Sequence, residues 1–159
     1  MKTIELTRGK DTIVDDEDFE ELSKYKWCAK QNHNGCFYAG RKVRRSDGGR
    51  TARFMHRIIM NVTDPKLQID HIDGNGLNNQ RGNLRVATPS QNMRNRGKTK
   101  LNTSGYKGVS RRGNKWEAQL RHEGKLIYGG RFDTPIAAAA FYNWMALRFH
   151  GEYAVLNSF

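Results

Sequence analysis

Four side chains stand at a spacing that suits phosphodiester chemistry: Asp70, His71, Asn83 and Asn92. Hydrolysis of that bond needs a base to activate water and a cation to offset charge on the phosphate and the leaving oxygen. His71, with an ordinary imidazole pKa of about 6.5, suits the base. Alternation along a strand sends Asp70 to the opposite side, where it can hold a metal. Asn92 adds a second oxygen donor. Two protein oxygens completed by water and phosphate oxygens suit Mg²⁺, with Mn²⁺ as a substitute. Between Asp64 and Glu117 the only acids are Asp70 and Asp73, so a polyanion can approach.

The elements that must carry these residues are legible in LQIDHIDGNGLNNQRGNLRVATPSQNMRNR, residues 67–96. A short strand ends in Asp70-His71, and a loop rich in Gly and Asn follows. A second strand is expected at Leu84–Ala87. Thr88 with Gln91 three residues on reads as a capping box, and Pro89 takes the first helical position. Asn92 then lies one turn into the helix. Asp73, Asn75, Asn78 and Asn79 read as loop formers. Arg94 and Arg96, just after the helix, read as phosphate contacts. His56, in Met55-His56-Arg57, has three readings: support for the site, a structural ring, or a DNA-facing group.

This strand–loop–strand–helix stretch resembles the HNH endonucleases, whose ββα-metal motif has a DH pair, a central Asn and a third His or Asn on the helix. The resemblance covers about residues 50–97. It implies that His71 is the general base, that Asn83 hydrogen-bonds across the loop to fix the surroundings of His71, and that Asp70 and Asn92 bind the metal. An Asn in the third position makes an H-N-N pattern, similar to some phage intron-encoded homing endonucleases.

The flanking segments divide the chain further. Thr3–Leu6 and Thr12–Val14 read as a hairpin around Gly9. Asp15–Tyr25 has helical composition, with Phe19, Leu22 and Tyr25 on one face. Lys26–Ala29 and Cys36–Ala39 read as strands, and Arg41, Arg44, Arg45, Arg50 and Arg53 make a basic surface. Residues 1–49 are thus expected to be scaffold and 50–97 the HNH core of one nuclease domain. GKTKLNT suggests a linker over 98–104.

Beyond it, Tyr106–Arg112, Lys115–His122 and Lys125–Phe132 are strand-like, joined by Gly113-Asn114 and Glu123-Gly124. Thr134-Pro135 opens a helix that runs to about His150, with Ile136, Ala137, Ala140, Phe141 and Trp144 as its apolar stripe. In the middle strand Trp116, Ala118 and Leu120 can cover that helix. The other sheet face presents Gln119 and Arg121, with Tyr128 from the third strand and basic residues from the first, where Arg111 and Arg112 are candidate DNA contacts. Such a face can enter a DNA groove. The pieces YKGVSRR, KWEAQLR and GGRFDTPIAAAAFYNWMALRFHGEYAVLN resemble the AP2 DNA-binding domain over 105–159. That resemblance implies a three-stranded sheet laid in the major groove, with Lys107, Arg112, Gln119, Arg121 and Tyr128 at contact positions. Ser110 and Leu126 depart from the Arg usual in plant members, which frees the specificity to differ.

The expected fold class is α+β: a small β-rich N-terminal region with the ββα-metal motif, then a three-stranded antiparallel sheet packed on one helix. Composition agrees with a nucleic-acid partner. The chain of 159 residues has 28 Lys+Arg against 16 Asp+Glu, a net charge of +12. Residues 1–21 run against this trend, with eight acids and three bases. The longest apolar run, Ile136–Tyr142, is far short of the roughly 20 residues a bilayer needs. Cys28 and Cys36 make no disulfide framework, and with His33 they form only a weak zinc pattern. A cytoplasmic protein is therefore expected, in the host cytoplasm if phage-encoded. The reading that follows is a metal-dependent, site-specific endonuclease on double-stranded DNA. One active site per chain makes nicking by a monomer the first outcome, and a double-strand break needs a dimer or a second visit. The alternatives are a non-catalytic DNA-binding regulator that keeps the HNH scaffold and an RNA-associated basic protein.

Overall fold

In the N-terminal hairpin, alternate residues of each strand turn inward. β1 (Lys2–Leu6) and β2 (Lys10–Val14) pair antiparallel, with Lys2 opposite Val14 and Leu6 opposite Lys10. Ile4, Leu6, Thr12 and Val14 are the buried set, as a period of two requires. α1 (Asp16–Ser23) follows, and its first turn carries Asp16, Glu17 and Asp18, which complement the positive end of the helix. Of the face expected on α1, Leu22 is buried and Phe19 packs against the core. Tyr25 falls beyond the helix end and is exposed, with the Arg41 guanidinium 3.6 Å from its ring centre.

The computed structural model describes residues 1–99 and 101–159. Lys100, inside the expected linker, lies outside the described residues. The chain divides into two compact units, Met1–Pro89 and Ser90–Phe159. Together they make an α+β protein. Among the described residues no helix is long and apolar enough to cross a membrane.

In the first unit, β3 (Cys28–Gln31), β4 (Phe37–Arg44) and β5 (Arg50–Phe54) form an antiparallel sheet in that order. The basic stretch at 41–53 is therefore mostly strand, with Arg41 opposite Arg53 and Arg44 opposite Arg50. A tight turn closes it, in which the Arg45 N–H donates to the Gly49 carbonyl at 2.8 Å. α2 (Met55–Ile59) buries Met55, His56 and Ile59. β6 (Gln68–His71) and β7 (Leu84–Ala87) pair antiparallel, with Asp70 opposite Arg85 and His71 opposite Leu84. One core joins Ile4, Val14, Leu22, Trp27, Met55, Ile69 and Leu84, so the hairpin, the helices and the β6–β7 pair fold as one body. α3 (Pro89–Arg94) begins at the last residue of this unit.

In the second unit β8 (Val109–Arg112), β9 (Lys115–His122) and β10 (Lys125–Phe132) form an antiparallel sheet with β9 central. α4 (Pro135–His150) covers it. The Thr134 hydroxyl accepts the Ala137 N–H at 3.1 Å as the N-cap, and Pro135 opens the helix. The apolar stripe expected on α4 needs correction. The buried positions are Ala138, Ala139, Tyr142, Met145, Ala146 and His150, whereas Ile136 and Trp144 are more than half exposed. The helix is apolar around most of its circumference, so periodicity alone left two faces to choose from. The sheet makes the choice. A Cβ on Gly129 would lie 2.6 Å from the Met145 methyl, so a side chain there would force the Met145 side chain to move.

Candidate active site

His71 ends β6 and is buried, 5% exposed, among neighbouring side chains. Its Nε2 is 3.2 Å from Asn79 Oδ1. The His56 ring meets it edge-on, with centres 5.2 Å apart, and the Tyr38 ring lies 5.8 Å away. Burial holds the His71 imidazole below its ordinary pKa, opposed by the Asn79 hydrogen bond and by the carboxylates of Asp73 and Asp70. Near neutral pH the ring is therefore uncharged, the state a proton acceptor needs.

Asp70 is buried and ion-paired within the same strand pair. Its Oδ2 accepts Arg85 Nε at 2.8 Å and Nη2 at 2.7 Å. The pairing follows from register, since directly opposed residues share a face.

The loop after His71 is braced from both sides. Asn83 Nδ2 donates to Asp73 Oδ1 at 3.0 Å and to the Asn78 carbonyl at 2.8 Å, while Asn83 Oδ1 accepts the Asp73 N–H at 3.0 Å. The Asn83 carbonyl also accepts the Ile72 N–H. Burial works to raise the Asp73 pKa, but hydrogen bonds from Asn78, the Asn75 backbone and Asn83 hold it below the usual carboxylate value. Gly76 passes under β4 where nothing larger fits: a Cβ would lie 2.4 Å from the Phe37 carbonyl and 2.6 Å from the Tyr38 ring.

The acidic N-terminal segment braces the loop as well. Asp15 accepts Gln80 Nε2 at 3.1 Å and the Arg81 N–H at 2.8 Å, and Asp18 takes the Arg81 guanidinium at 2.7 and 2.9 Å. Those hydrogen bonds from Arg81 and Gln80 keep the Asp15 carboxyl below its ordinary pKa. The acids thus clamp the loop that follows His71.

His56 packs as an aromatic ring. It stacks on Phe54 with centres 5.5 Å apart and planes at 10°, and its Nδ1 is buried without a hydrogen-bond partner. Burial pushes its pKa down to about 3, and the charges of His71 and Arg57 add to the effect.

In the second unit, Asn92 and Arg94 lie on α3 and Arg96 just beyond it. The Lys107 ammonium is largely buried and donates to the Arg94 carbonyl at 2.6 Å, and burial lowers its pKa to about 8. The sheet register puts Gln119 opposite Tyr128, Arg121 opposite Leu126, and Lys115 opposite Arg112, all on the face away from α4. Arg112 and Arg131 both pair with Glu117, and Gln119 Nε2 donates to the Ser110 hydroxyl at 3.1 Å. Arg121 and Tyr128 are exposed there. Arg111 stands opposite Trp116, the position that shares the other face, and its guanidinium lies 5.9 Å from that ring.

The HNH endonuclease profile matches residues 53–94, which span β6, the braced loop, β7 and α3. An uncharacterized HNH endonuclease of Acanthamoeba polyphaga mimivirus is 34% identical over 155 residues, covering 96% of this chain and 78% of that protein. The chain belongs to the HNH endonuclease family. As an HNH endonuclease it is a member of a phosphodiester hydrolase family, and DNA is the partner that membership implies. Protein 3.8 of Escherichia phage T7 is 38% identical over 88 residues, 54% of this chain and 72% of that protein. The rice APETALA2-like protein 2 is 42% identical over 57 residues, 35% of this chain and 13% of its own. That partial similarity accompanies the AP2-like sheet and helix. No solved structure matches.

HNH nucleases typically use a divalent metal ion, and the donors around β6 have the right chemistry. Asp70 is a buried carboxylate whose orientation Arg85 holds, as ligating carboxylates are held by outer partners. Its carboxylate is a hard oxygen donor, of the kind that suits Mg²⁺ or Mn²⁺. Among the described residues no three His, Cys, Asp or Glu gather as a metal cluster. Both cysteines are free thiols.

Sequence reasoning missed Asn79, Thr12 and Arg85. Asn78 and Asn79 look alike as loop formers, yet Asn79 is fully buried against His71 while Asn78 bonds to Asp73 near the surface. The alternation of Asp70-His71 against Leu84-Arg85 was a usable signal for Arg85, once the two strands were taken as a pair.

Proposed function

We propose that this HNH endonuclease is a metal-dependent, site-specific DNA nuclease of the homing type that nicks one strand as a monomer. Its nuclease domain falls within residues 1–97, and residues 98–104 join it to an AP2-like module at 105–159. The observation that carries the reading is the pair at the end of β6, with Asp70 gripped by Arg85 and His71 gripped by Asn79, while Asn83 clamps the intervening loop. Held in this way, His71 takes a proton from the attacking water. Asp70 and Asn92 would be the residues to hold a divalent ion, which when bound would offset charge on the phosphate and the leaving oxygen. Asn83 keeps the loop from shifting His71, and the packed His56 ring supports it. Arg94 and Arg96 bind phosphates. Arg112, Gln119, Arg121 and Tyr128 present the AP2-like face to the groove, with Arg111 and Lys107 flanking it.

The test is a supercoiled plasmid incubated with the full chain in Mg²⁺ or in chelator. Nicked circles are expected in Mg²⁺ alone. His71→Ala is expected to abolish them while the mobility shift on duplex DNA remains. A His71→Ala protein that cuts at the normal rate overturns the assignment, and a mobility shift with no cleavage by the wild type favours the non-catalytic regulator.

A further inference from the structure

The N-terminal hairpin reaches the candidate base through a chain of buried hydrogen bonds. Thr12, on β2, is fully buried, and its hydroxyl donates to the Leu77 carbonyl at 2.7 Å. A hydroxyl has one proton, so once that proton is committed the oxygen can only accept. It accepts Asn79 Nδ2 at 2.7 Å. The Asn79 amide is thereby oriented, with nitrogen toward Thr12 and oxygen toward His71. Oδ1 has no proton to give, so the 3.2 Å contact requires that His71 Nε2 carries the hydrogen. The neutral ring then has its lone pair on Nδ1.

The backbone around this chain is stitched as firmly. The Ile13 N–H donates to the Leu77 carbonyl at 2.9 Å, and the Asn79 N–H donates to the Ile13 carbonyl at 2.8 Å. The loop cannot slide along β2 without breaking both bonds. Asn79 has no exposure to solvent, so water cannot substitute for Thr12.

We propose that Thr12 and Asn79 are positioning residues that fix the His71 tautomer, so that Nδ1 is the nitrogen that accepts the proton from water. The proposal rests on the reading of His71 as general base. It also assigns a role to the N-terminal hairpin, which the DNA-cleaving motif at 53–94 does not include.

The test uses the full chain, ¹⁵N-labelled at histidine, and the variants Thr12→Val and Thr12→Ser. Long-range ¹H–¹⁵N spectra of the wild type at neutral pH are expected to show His71 protonated at Nε2. Thr12→Val keeps the side-chain shape but removes the acceptor for the Asn79 amide. The amide then turns on losing its partner, and an Nδ1–H population appears. On a supercoiled plasmid in Mg²⁺, kcat is expected to fall about tenfold with KM unchanged, a partial loss of the roughly 10²–10⁴-fold that a positioned base contributes. Thr12→Ser restores the hydroxyl, and with it the tautomer and the rate. Thermal midpoints of the variants separate this from loss of fold. A wild-type His71 protonated at Nδ1 overturns the proposal, as does a Thr12→Ser protein as slow as Thr12→Val. If the tautomer shifts in Thr12→Val while kcat stays unchanged, the lock stands and the general-base reading of His71 falls.

Discussion

Replacing Arg85 with methionine tests how the carboxylate proposed to hold the metal is positioned. The Asp70 and Arg85 side chains are 4% and 12% exposed, and two hydrogen bonds converge on Asp70 Oδ2. Methionine keeps most of the aliphatic stem but removes the guanidinium from a buried carboxylate. Breaking a buried pair from one side costs about 3–5 kcal/mol. For a unit of this size, each kcal/mol moves the thermal midpoint by about 4–8 °C, so a fall of 12 °C or more is expected. Circular dichroism melts in chelator measure it. Adding Mg²⁺ is expected to recover part of the loss, because an ion that binds the folded carboxylate stabilises that state by mass action. Asp70→Asn/Arg85→Met, which removes the charge on both sides, is expected to be more stable than Arg85→Met alone. A loss below about 1 kcal/mol in Arg85→Met, or a double variant no better than the single, refutes the reasoning.

Three further outcomes follow from the geometry. Folding keeps His56 neutral until its pKa of about 3, while the unfolded ring protonates near 6.5, so the unfolded state binds more protons as pH falls between those values. Stability therefore drops by about 1.4 kcal/mol per pH unit in that window. Urea unfolding at pH 7 and 4.5 is expected to show His56→Phe losing about 2–3 kcal/mol less than the wild type, and parallel losses would reject the assignment. Gly76→Ala forces a methyl against the Phe37 carbonyl and the Tyr38 ring and is expected to cost about 1–3 kcal/mol, read from the urea midpoint. An unchanged midpoint would mean that the loop has slack. Arg121→Ala on the exposed sheet face is expected to reduce the slope of log affinity against log salt for duplex DNA by about one. An unchanged slope would remove Arg121 from the phosphate contacts.

Much of the second unit was legible because its information is local. The two turns, the alternation in β9 and the Thr134-Pro135 start place β9, β10 and α4 with little error, as such signals depend on near neighbours. The pairing of β1 with β2 and the strand–loop–strand–helix order around His71 are equally local. The face of α4 was not, since Ile136 and Trp144 are as apolar as the residues that are buried, and the side that packs is the one that meets Gly129 on the sheet.

By itself the sequence placed the proposed site residues on their elements: Asp70 and His71 on one strand, Asn83 before the next and Asn92 on a helix, within a basic chain. Tertiary structure decided what holds that set in place. Thr12 meets Asn79 across 67 residues, Asp15 meets Arg81 across 66, and Arg85 meets Asp70 only because β6 and β7 pair in that register. Periodicity describes one segment at a time, and a buried amide between two partners from different segments leaves no period of its own. Asn78 and Asn79 are indistinguishable until β2 packs against the loop. The fold then excludes water from one of them and makes its orientation obligatory.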